Sequence, residues 1–126
     1  MKITLFTSND NRHNHFINML SKISKELFVV QECKTIFPGI IPGQYPSNEI
    51  FKRYFKEVRE AQLQLFGNSY INNTSQNINL ISMLYGDLNK CSLSFLSDFL
   101  KSDVYIIFGS SFIKGDLIYF LVKKKA

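Results

Sequence analysis

The sequence predicts an α/β fold: a Rossmann-like, doubly wound and mostly parallel sheet with helices on both faces. The first observation is an alternation of strand-length apolar runs with helical patterns, which repeats four times along the chain. The second is the run Val104–Phe108, five apolar residues rich in β-branched and aromatic types that stop at Gly109. Such a run is typical of a strand buried on both faces, so we expect a central strand there. The 126 residues amount to one domain, and we predict a single α/β domain over residues 1–126.

The charge balance favours an anionic partner. A net charge of +5 and a pI near 9.3 suit a phosphate-bearing or other anionic ligand, although nucleic acid and an anionic membrane surface also fit. Three of the positive charges lie in residues 123–125, where we expect a solvated tail. The aromatic residues follow core periodicity instead of alternating with Lys and Arg, which argues against a nucleic-acid-binding domain. No apolar run approaches the roughly 20 residues of a transmembrane helix. No membrane partner is predicted.

Two isolated cysteines, Cys33 and Cys91, show no metal-like spacing, and the chain opens on a strand pattern without a signal peptide. We therefore expect a reduced, cytoplasmic protein with no metal site. Cys91 falls near a predicted helix start, where a thiolate is favoured. No histidine or other base is evident near it in the sequence, so we do not predict a catalytic cysteine.

The first βα unit begins with a strand over residues 2–7, followed by the polar turn formers of residues 8–11. Any of these four can cap the next helix, whose apolar residues Phe16, Ile17, Leu20 and Ile23 recur at helical spacing. The loop contains neither a Gly-x-Gly-x-x-Gly nor a Walker-type sequence, which argues against nicotinamide and ATP. Arg12 lies at the helix start, where free N–H groups and the macrodipole favour an anion and a guanidinium adds a bidentate phosphate contact.

His13 shares that helix start with Arg12. The alternative for this pair is a solvated helix start with no ligand. His15, two residues further on, is expected to be exposed.

The middle of the chain contains a second strand and a long helix. Residues 27–30, continuing to Cys33, form the predicted strand. Residues 34–46 contain three Pro and two Gly and predict a long, stiff loop. We expect a lid or a partner contact there, and the alternative is a disordered segment. Ser47 is the expected N-cap of an amphipathic helix that ends at Gly67, with a solvated face of mixed charge.

Two further βα units complete the chain. Residues 78–84 form the third strand, residues 85–89 a turn, and residues 92–101 a helix; the last strand is followed by a helix over about residues 115–122. Between the last strand and its helix lies Gly109-Ser110-Ser111, at the strand's carboxyl end, where open α/β sheets bind ligands. Small residues there let a ligand approach the backbone. The alternative is a tight βα turn with a helix cap.

Four segments carry a family resemblance. They are Ser8-Asn9 with Arg12-His13, the helix from Arg53-Tyr54-Phe55 to Phe66-Gly67, Gly86-Asp87-Leu88-Asn89, and Phe108-Gly109-Ser110-Ser111-Phe112-Ile113-Lys114-Gly115. Together they resemble the N-terminal part of a folate-dependent formyltransferase, similar to methionyl-tRNA and sugar-nucleotide formyltransferases. The resemblance covers the whole chain, which would then be the truncated N-terminal half of the catalytic domain, and the last segment is the most specific.

The resemblance implies transfer of a formyl group from N10-formyltetrahydrofolate to a primary amine, on a sugar nucleotide or, less favoured, an aminoacyl-tRNA. It implies that the folate pocket is lined, largely through backbone groups, by Gly109, Ser110, Ser111, Phe112 and Ile113. It also implies that the acceptor side, where a phosphate of a sugar nucleotide meets the helix start, is formed by Ser8, Asn9, Arg12 and His13.

In the family, a catalytic Asn-x-His lies on the strand after the last helix, and a catalytic Asp follows later. This sequence ends at Ala126 and neither His13 nor His15 matches that position, so we expect no catalytic residues and no activity of the chain alone. A sheet ending at the last strand exposes an apolar edge, which favours a homodimer or aggregation. The leading alternative is a non-catalytic α/β module that binds a small anionic ligand or a protein partner.

Overall fold

The computed structural model describes residues 1–34, 48–72 and 74–126. The elements, in order, are β1 (Lys2–Ser8), α1 (Asn11–Ile23), β2 (Glu26–Cys33), α2 (Glu49–Phe66), β3 (Ile78–Leu84), two 3₁₀ helices (Asp87–Lys90 and Ser97–Leu100), β4 (Val104–Phe108) and α3 (Gly115–Lys123). The predicted loop over residues 34–46 lies outside the described residues except for Lys34. No helix in the described ranges is long and apolar enough to cross a membrane.

The four strands form one parallel sheet in the order β3-β2-β1-β4. The predicted α/β fold with a parallel sheet is confirmed and is consistent with a Rossmann-like architecture. The prediction that Val104–Phe108 is a central strand buried on both faces is wrong. Its β4 lies at the edge of the sheet that the described residues form, where Val104, Ile107 and Phe108 are 38%, 45% and 39% exposed.

Each face of the sheet carries its own apolar core. Side chains alternate along a strand, so neighbouring residues of β1 point to opposite faces. One core combines strand residues with α1 and contains Ile3, Leu5, Ile17, Leu20, Leu27 and Val29. The other packs the 3₁₀ region and α3 on the sheet and contains Phe6, Val30, Leu88, Leu96, Tyr105, Leu117 and Leu121. Helical segments therefore cover both faces, as predicted.

The predicted helix over residues 92–101 is wrong. The chain forms separate short turns there, because serine hydroxyls offer the backbone a local alternative to helical hydrogen bonds. The hydroxyl of Ser92 accepts a hydrogen bond from the N–H of Phe95 (3.2 Å) and lies 2.9 Å from that of Ser94. The helix α3, by contrast, begins at Gly115 as predicted.

The ends of α2 are partly as expected. Asn48 is its N-cap, and its side-chain Oδ1 accepts a hydrogen bond from the N–H of Phe51 (2.9 Å). Ser47, the expected N-cap, lies outside the described residues. Gly67 ends the helix with a positive φ of 58°, in agreement with the prediction.

Candidate functional site

The candidate site lies at the carboxyl edge of the sheet, between β1 and β4. The strands β2 and β3 extend the sheet on one side of β1 and β4 lies on the other, so the strand order reverses at this boundary. In open α/β sheets such a reversal opens a ligand-binding crevice outside the carboxyl ends of the strands. Two loops meet here, and we call them the β1 loop (residues 8–13) and the β4 loop (residues 109–114). They contain all nine residues that the sequence predicts to bind ligands.

His13 connects the two loops from the first turn of α1. Its side chain is only 1% exposed, and its ring meets that of Phe108 edge-on, with the ring centroids 4.9 Å apart. The Nε2 atom accepts a hydrogen bond from Nε of Arg12 (3.3 Å), and Nδ1 lies 2.7 Å from Oγ of Ser8. Because a guanidinium can only donate, the imidazole proton is assigned to Nδ1, which donates to Ser8.

The surroundings of His13 keep its ring neutral. Burial and then the positive charge of Arg12 lower the pKa of His13 to about 4, and Asp10 acts in the opposite direction. The Asp10 carboxylate lies 3.6 Å from Nδ1, on the side where Ser8 also approaches. This grouping is not a catalytic triad, since serine and carboxylate share one ring nitrogen and Ser8 is fully buried. We therefore assign a structural role to this group of side chains.

Gly109 is the partner of His13 in the β4 loop. It has a positive φ of 75°, and a Cβ atom at this position would lie 2.4 Å from Nε2 of His13. The glycine is therefore required both by its backbone conformation and by the close approach of the imidazole. Gly109 and His13, predicted on the folate side and on the acceptor side respectively, are brought into direct contact.

A buried carboxylate, Glu32, anchors the β4 loop from the end of β2. One of its oxygens, Oε1, accepts hydrogen bonds from the N–H of Gly86 (2.8 Å) and from Oγ of Ser111 (2.9 Å). The other, Oε2, accepts from the N–H of Ser111 (2.6 Å). Sequence reasoning missed Glu32, which has no exposed surface. The available signal is a charged residue that follows the apolar run of residues 27–30 near the carboxyl end of a parallel strand.

Asn89, in the first 3₁₀ helix, holds the far end of the β4 loop. Its Nδ2 donates to the carbonyl of Phe112 (2.8 Å), and its Oδ1 accepts from the N–H of Lys114 (2.7 Å). Two of the segments that carry the resemblance are therefore hydrogen-bonded to each other. Asn89 belongs to the segment of residues 86–89, and its partners belong to the segment of residues 108–115.

The other residues of the β4 loop differ in what they present to solvent. The side chain of Phe112 is 88% exposed, whereas Ile113 packs against the core under α3. Ser110 donates from Oγ to the carbonyl of Ser111 (3.1 Å). Within the described ranges, the backbone N–H groups of Ser111 and Lys114 donate to Glu32 and Asn89, whereas those of Gly109, Ser110, Phe112 and Ile113 have no protein acceptor. These four backbone donors remain for a ligand.

Two positive side chains, Arg12 and Lys34, lie at this edge together with the carboxylate of Asp10. Arg12 is exposed beside His13, and the charges of Arg12 and Lys34 both lower the pKa of that histidine. Oδ1 of Asn9 accepts a hydrogen bond from the N–H of Lys34 (3.0 Å), which ties the β1 loop to the end of β2. This arrangement favours an anion near the first turn of α1.

Cysteine and metal chemistry find little support elsewhere in the described residues. Among them, no group of three or more His, Cys, Asp or Glu side chains could hold a metal ion. Cys91 lines an open cavity of roughly 410 Å³ beside β3, together with Ile81, Ser82, Met83, Asp87, Lys90 and Phe95. Burial raises the pKa of the Cys91 thiol, which moves it away from the nucleophilic thiolate form.

The chain was compared with family models, with curated proteins and with solved structures, and none of the three comparisons found a match.

Proposed function

We propose that this chain forms the ligand-binding part of a folate-dependent formyltransferase, in which the β4 loop receives N10-formyltetrahydrofolate and the β1 loop faces a primary amine acceptor. The observation that carries the proposal is the contact between His13 and Gly109. It joins the two loops that the resemblance assigns to folate and acceptor, at the reversal of strand order where α/β sheets bind ligands. The free N–H groups of Gly109 and Phe112 suit recognition through the backbone.

On the acceptor side, the proposal favours a phosphate-bearing amine. Arg12 and Lys34 lie near the first turn of α1, where backbone N–H groups already attract an anion. A sugar nucleotide places a pyrophosphate within reach of such a surface. An aminoacyl-tRNA is the less favoured acceptor, since the largely exposed run of aromatic and basic residues at positions 51–56 belongs to α2 and not to the β1 loop.

Folate binding is tested by titration calorimetry with 5-formyltetrahydrofolate. We expect saturable binding by the chain and about tenfold weaker binding by Phe112→Ala, because an exposed aromatic ring can stack on the pterin. Tyr119→Ala, which removes an exposed aromatic ring from α3, is the matched control and is expected to bind normally. Absence of saturable binding by the unmodified chain would contradict the proposal. A bulky residue at Gly109 is not a suitable test, since it would displace His13.

Acceptor binding is tested with UDP as the probe. Arg12→Ala is expected to weaken UDP binding about tenfold, because a charge-assisted contact to phosphate is lost. Arg59→Ala, which removes an equal charge from the exposed side of α2, is the matched control. Equal affinities of the two variants would count against a phosphate site at the β1 loop.

The second candidate is a non-catalytic α/β module that binds a small anionic ligand at the same edge. The positive charge around the β1 loop favours it, and this charge does not depend on a folate site. Binding of UDP without any binding of 5-formyltetrahydrofolate would select this candidate over the formyltransferase.

Compartment and self-association belong to the proposal as well. The free thiols of Cys33 and Cys91 suit a reducing, cytoplasmic location. The exposed apolar side chains of Val104 and Ile107 on β4 favour a homodimer through this edge. Sedimentation velocity checks the second point, and a monomer at all concentrations would contradict it.

A further inference from the structure

The carboxylate of Glu32 accepts hydrogen bonds from two chain segments that follow different strands. Gly86 belongs to the turn after β3, and Ser111 belongs to the β4 loop. Their separations from Glu32 in the chain are 54 and 79 residues. Both backbone donors point inward to one fully buried side chain, so the conformation of both segments depends on this single group.

We propose that Glu32 is a positioning residue that sets the conformation of the β4 loop for its ligand. By accepting from both the N–H and the hydroxyl of Ser111, it directs these groups to the protein interior. The N–H groups of Gly109, Ser110, Phe112 and Ile113, which have no acceptor within the described ranges, then remain as the donors available to a ligand. This inference rests on the proposed function for the identity of the ligand, but the positioning itself is testable without any ligand.

Replacing Glu32 by glutamine keeps the size of the side chain and removes its ability to accept at both ends. If the amide oxygen accepts from the N–H of Ser111, the amide nitrogen faces the N–H of Gly86. If it is turned the other way, the amide nitrogen faces the N–H of Ser111. In either orientation one buried backbone donor loses its acceptor, so we expect one segment to open locally.

The first experiment is amide hydrogen exchange on the full chain, comparing Glu32→Gln with the unmodified protein. We expect exchange of the Ser111 N–H or of the Gly86 N–H, the two amides that donate to Glu32, to be about tenfold faster or more, with protection of β1 unchanged. Glu26→Gln is the matched control, since it makes the same change at the opposite end of β2, where Glu26 pairs with the exposed Lys2. A uniform rise over the whole sheet would show a general loss of stability and would overturn the positioning role.

The second readout is the affinity of Glu32→Gln for two probes. We expect binding of 5-formyltetrahydrofolate to weaken about tenfold and binding of UDP, at the β1 loop, to stay unchanged. An equal loss for both probes would contradict a role specific to the β4 loop. If the unmodified chain binds no folate, the proposed function fails, and the exchange experiment alone decides the role of Glu32.

Should Glu32→Gln fail to fold, Ser111→Ala replaces it. This variant removes only the hydroxyl donor to Glu32 and leaves the backbone contact in place. We expect exchange of the N–H of residue 111 to be a few-fold faster than in Ser110→Ala, whose hydroxyl bonds locally. Equal exchange in the two serine variants would overturn the inference.

Discussion

The β4 loop is fixed at two neighbouring positions by different physics. At Gly109 the contact is steric: a neutral, buried imidazole occupies the space that any Cβ atom would need. At Ser111 the contact is polar: a buried carboxylate accepts hydrogen bonds from the backbone and the hydroxyl of one residue. The steric contact requires that residue 109 has no side chain, whereas the polar contact requires the N–H and the hydroxyl of residue 111. We therefore expect them to respond differently to substitution and to pH.

The largest expected effect is at the steric contact. Gly109→Ala should lower the free energy of unfolding by about 3 kcal/mol, which combines the cost of a positive φ with displacement of His13. Gly67→Ala is the control, because its φ of +58° is similarly unfavourable but no atom lies within 4 Å of the added Cβ; we expect a loss of about 1 kcal/mol. Urea denaturation measures both. Equal losses in the two variants would mean that displacing the His13 imidazole does not lower the free energy of unfolding.

The second effect is on the dependence of stability on pH. The pKa of His13 is lowered to about 4 in the folded chain, from about 6.5 when unfolded, so the unfolded state binds more protons between these values. The contribution of His13 is fully present above pH 6.5 and is lost as the pH falls towards 4, by roughly 3 kcal/mol in all.

Unfolding of the His13→Gln variant as a function of pH checks this contribution. The variant should lack the corresponding slope between pH 6.5 and 4, while His15→Gln, at an exposed position, should retain it. The same slope in both variants would assign the effect to other groups.

A smaller effect is expected at the polar contact. Ser111→Ala should destabilise the protein by about 1–2 kcal/mol, because the buried Glu32 loses one of its donors. Ser110→Ala, one residue away, should cost less than about 0.5 kcal/mol, since its hydroxyl bonds only to the next carbonyl. Denaturation curves of the two variants measure both losses of stability. A larger loss in Ser110→Ala than in Ser111→Ala would contradict the assignment of Ser111 as the anchor of the loop.

The smallest effect is expected at Asn89, which holds the end of the loop at the surface. Asn89→Ala should cost about 0.5–1 kcal/mol through loss of two exposed hydrogen bonds. Asn68→Ala, at an exposed position after α2, is the control and should be close to neutral. A loss at Asn89 as large as that at Ser111 would mean that the polar anchor extends further along the loop.

Local patterns predict most of the elements but not their arrangement. The strands β1, β2 and β3 and the helices α1 and α3 follow from periodicity and turn residues. Val104–Phe108 is a strand as predicted, but an apolar run does not reveal which neighbours will cover it, and β4 lies at the edge of the sheet that the described residues form. Around residues 92–97, serine hydroxyls compete with the helix that the apolar spacing indicates.

The sequence predicts where the site lies, because the topology of the sheet determines this, but it does not predict the contacts within the site. A parallel sheet brings the carboxyl ends of its strands to one edge, so residues 8–13 and 109–113 could be assigned to the same region. That His13 fills the space beside Gly109 depends on tertiary contact and has no local signal. Glu32 has a local signal, its charge near the end of β2, but its role could not be predicted because its hydrogen-bond donors belong to segments 54 and 79 residues away.

The position of β1 between two partners also bears on the order of folding. It pairs on one side with β2, the next strand in the chain, and on the other with β4, where the hydroxyl of Thr7 bonds to the carbonyl of Phe108 across 101 residues. Closing the longer loop costs more entropy, so we expect the β1–α1–β2 unit to form early and β4 to dock late. The edge where the β1 loop meets the β4 loop is then complete only after the last docking step. A ligand bound there should slow the unfolding reaction and leave the early folding steps unchanged.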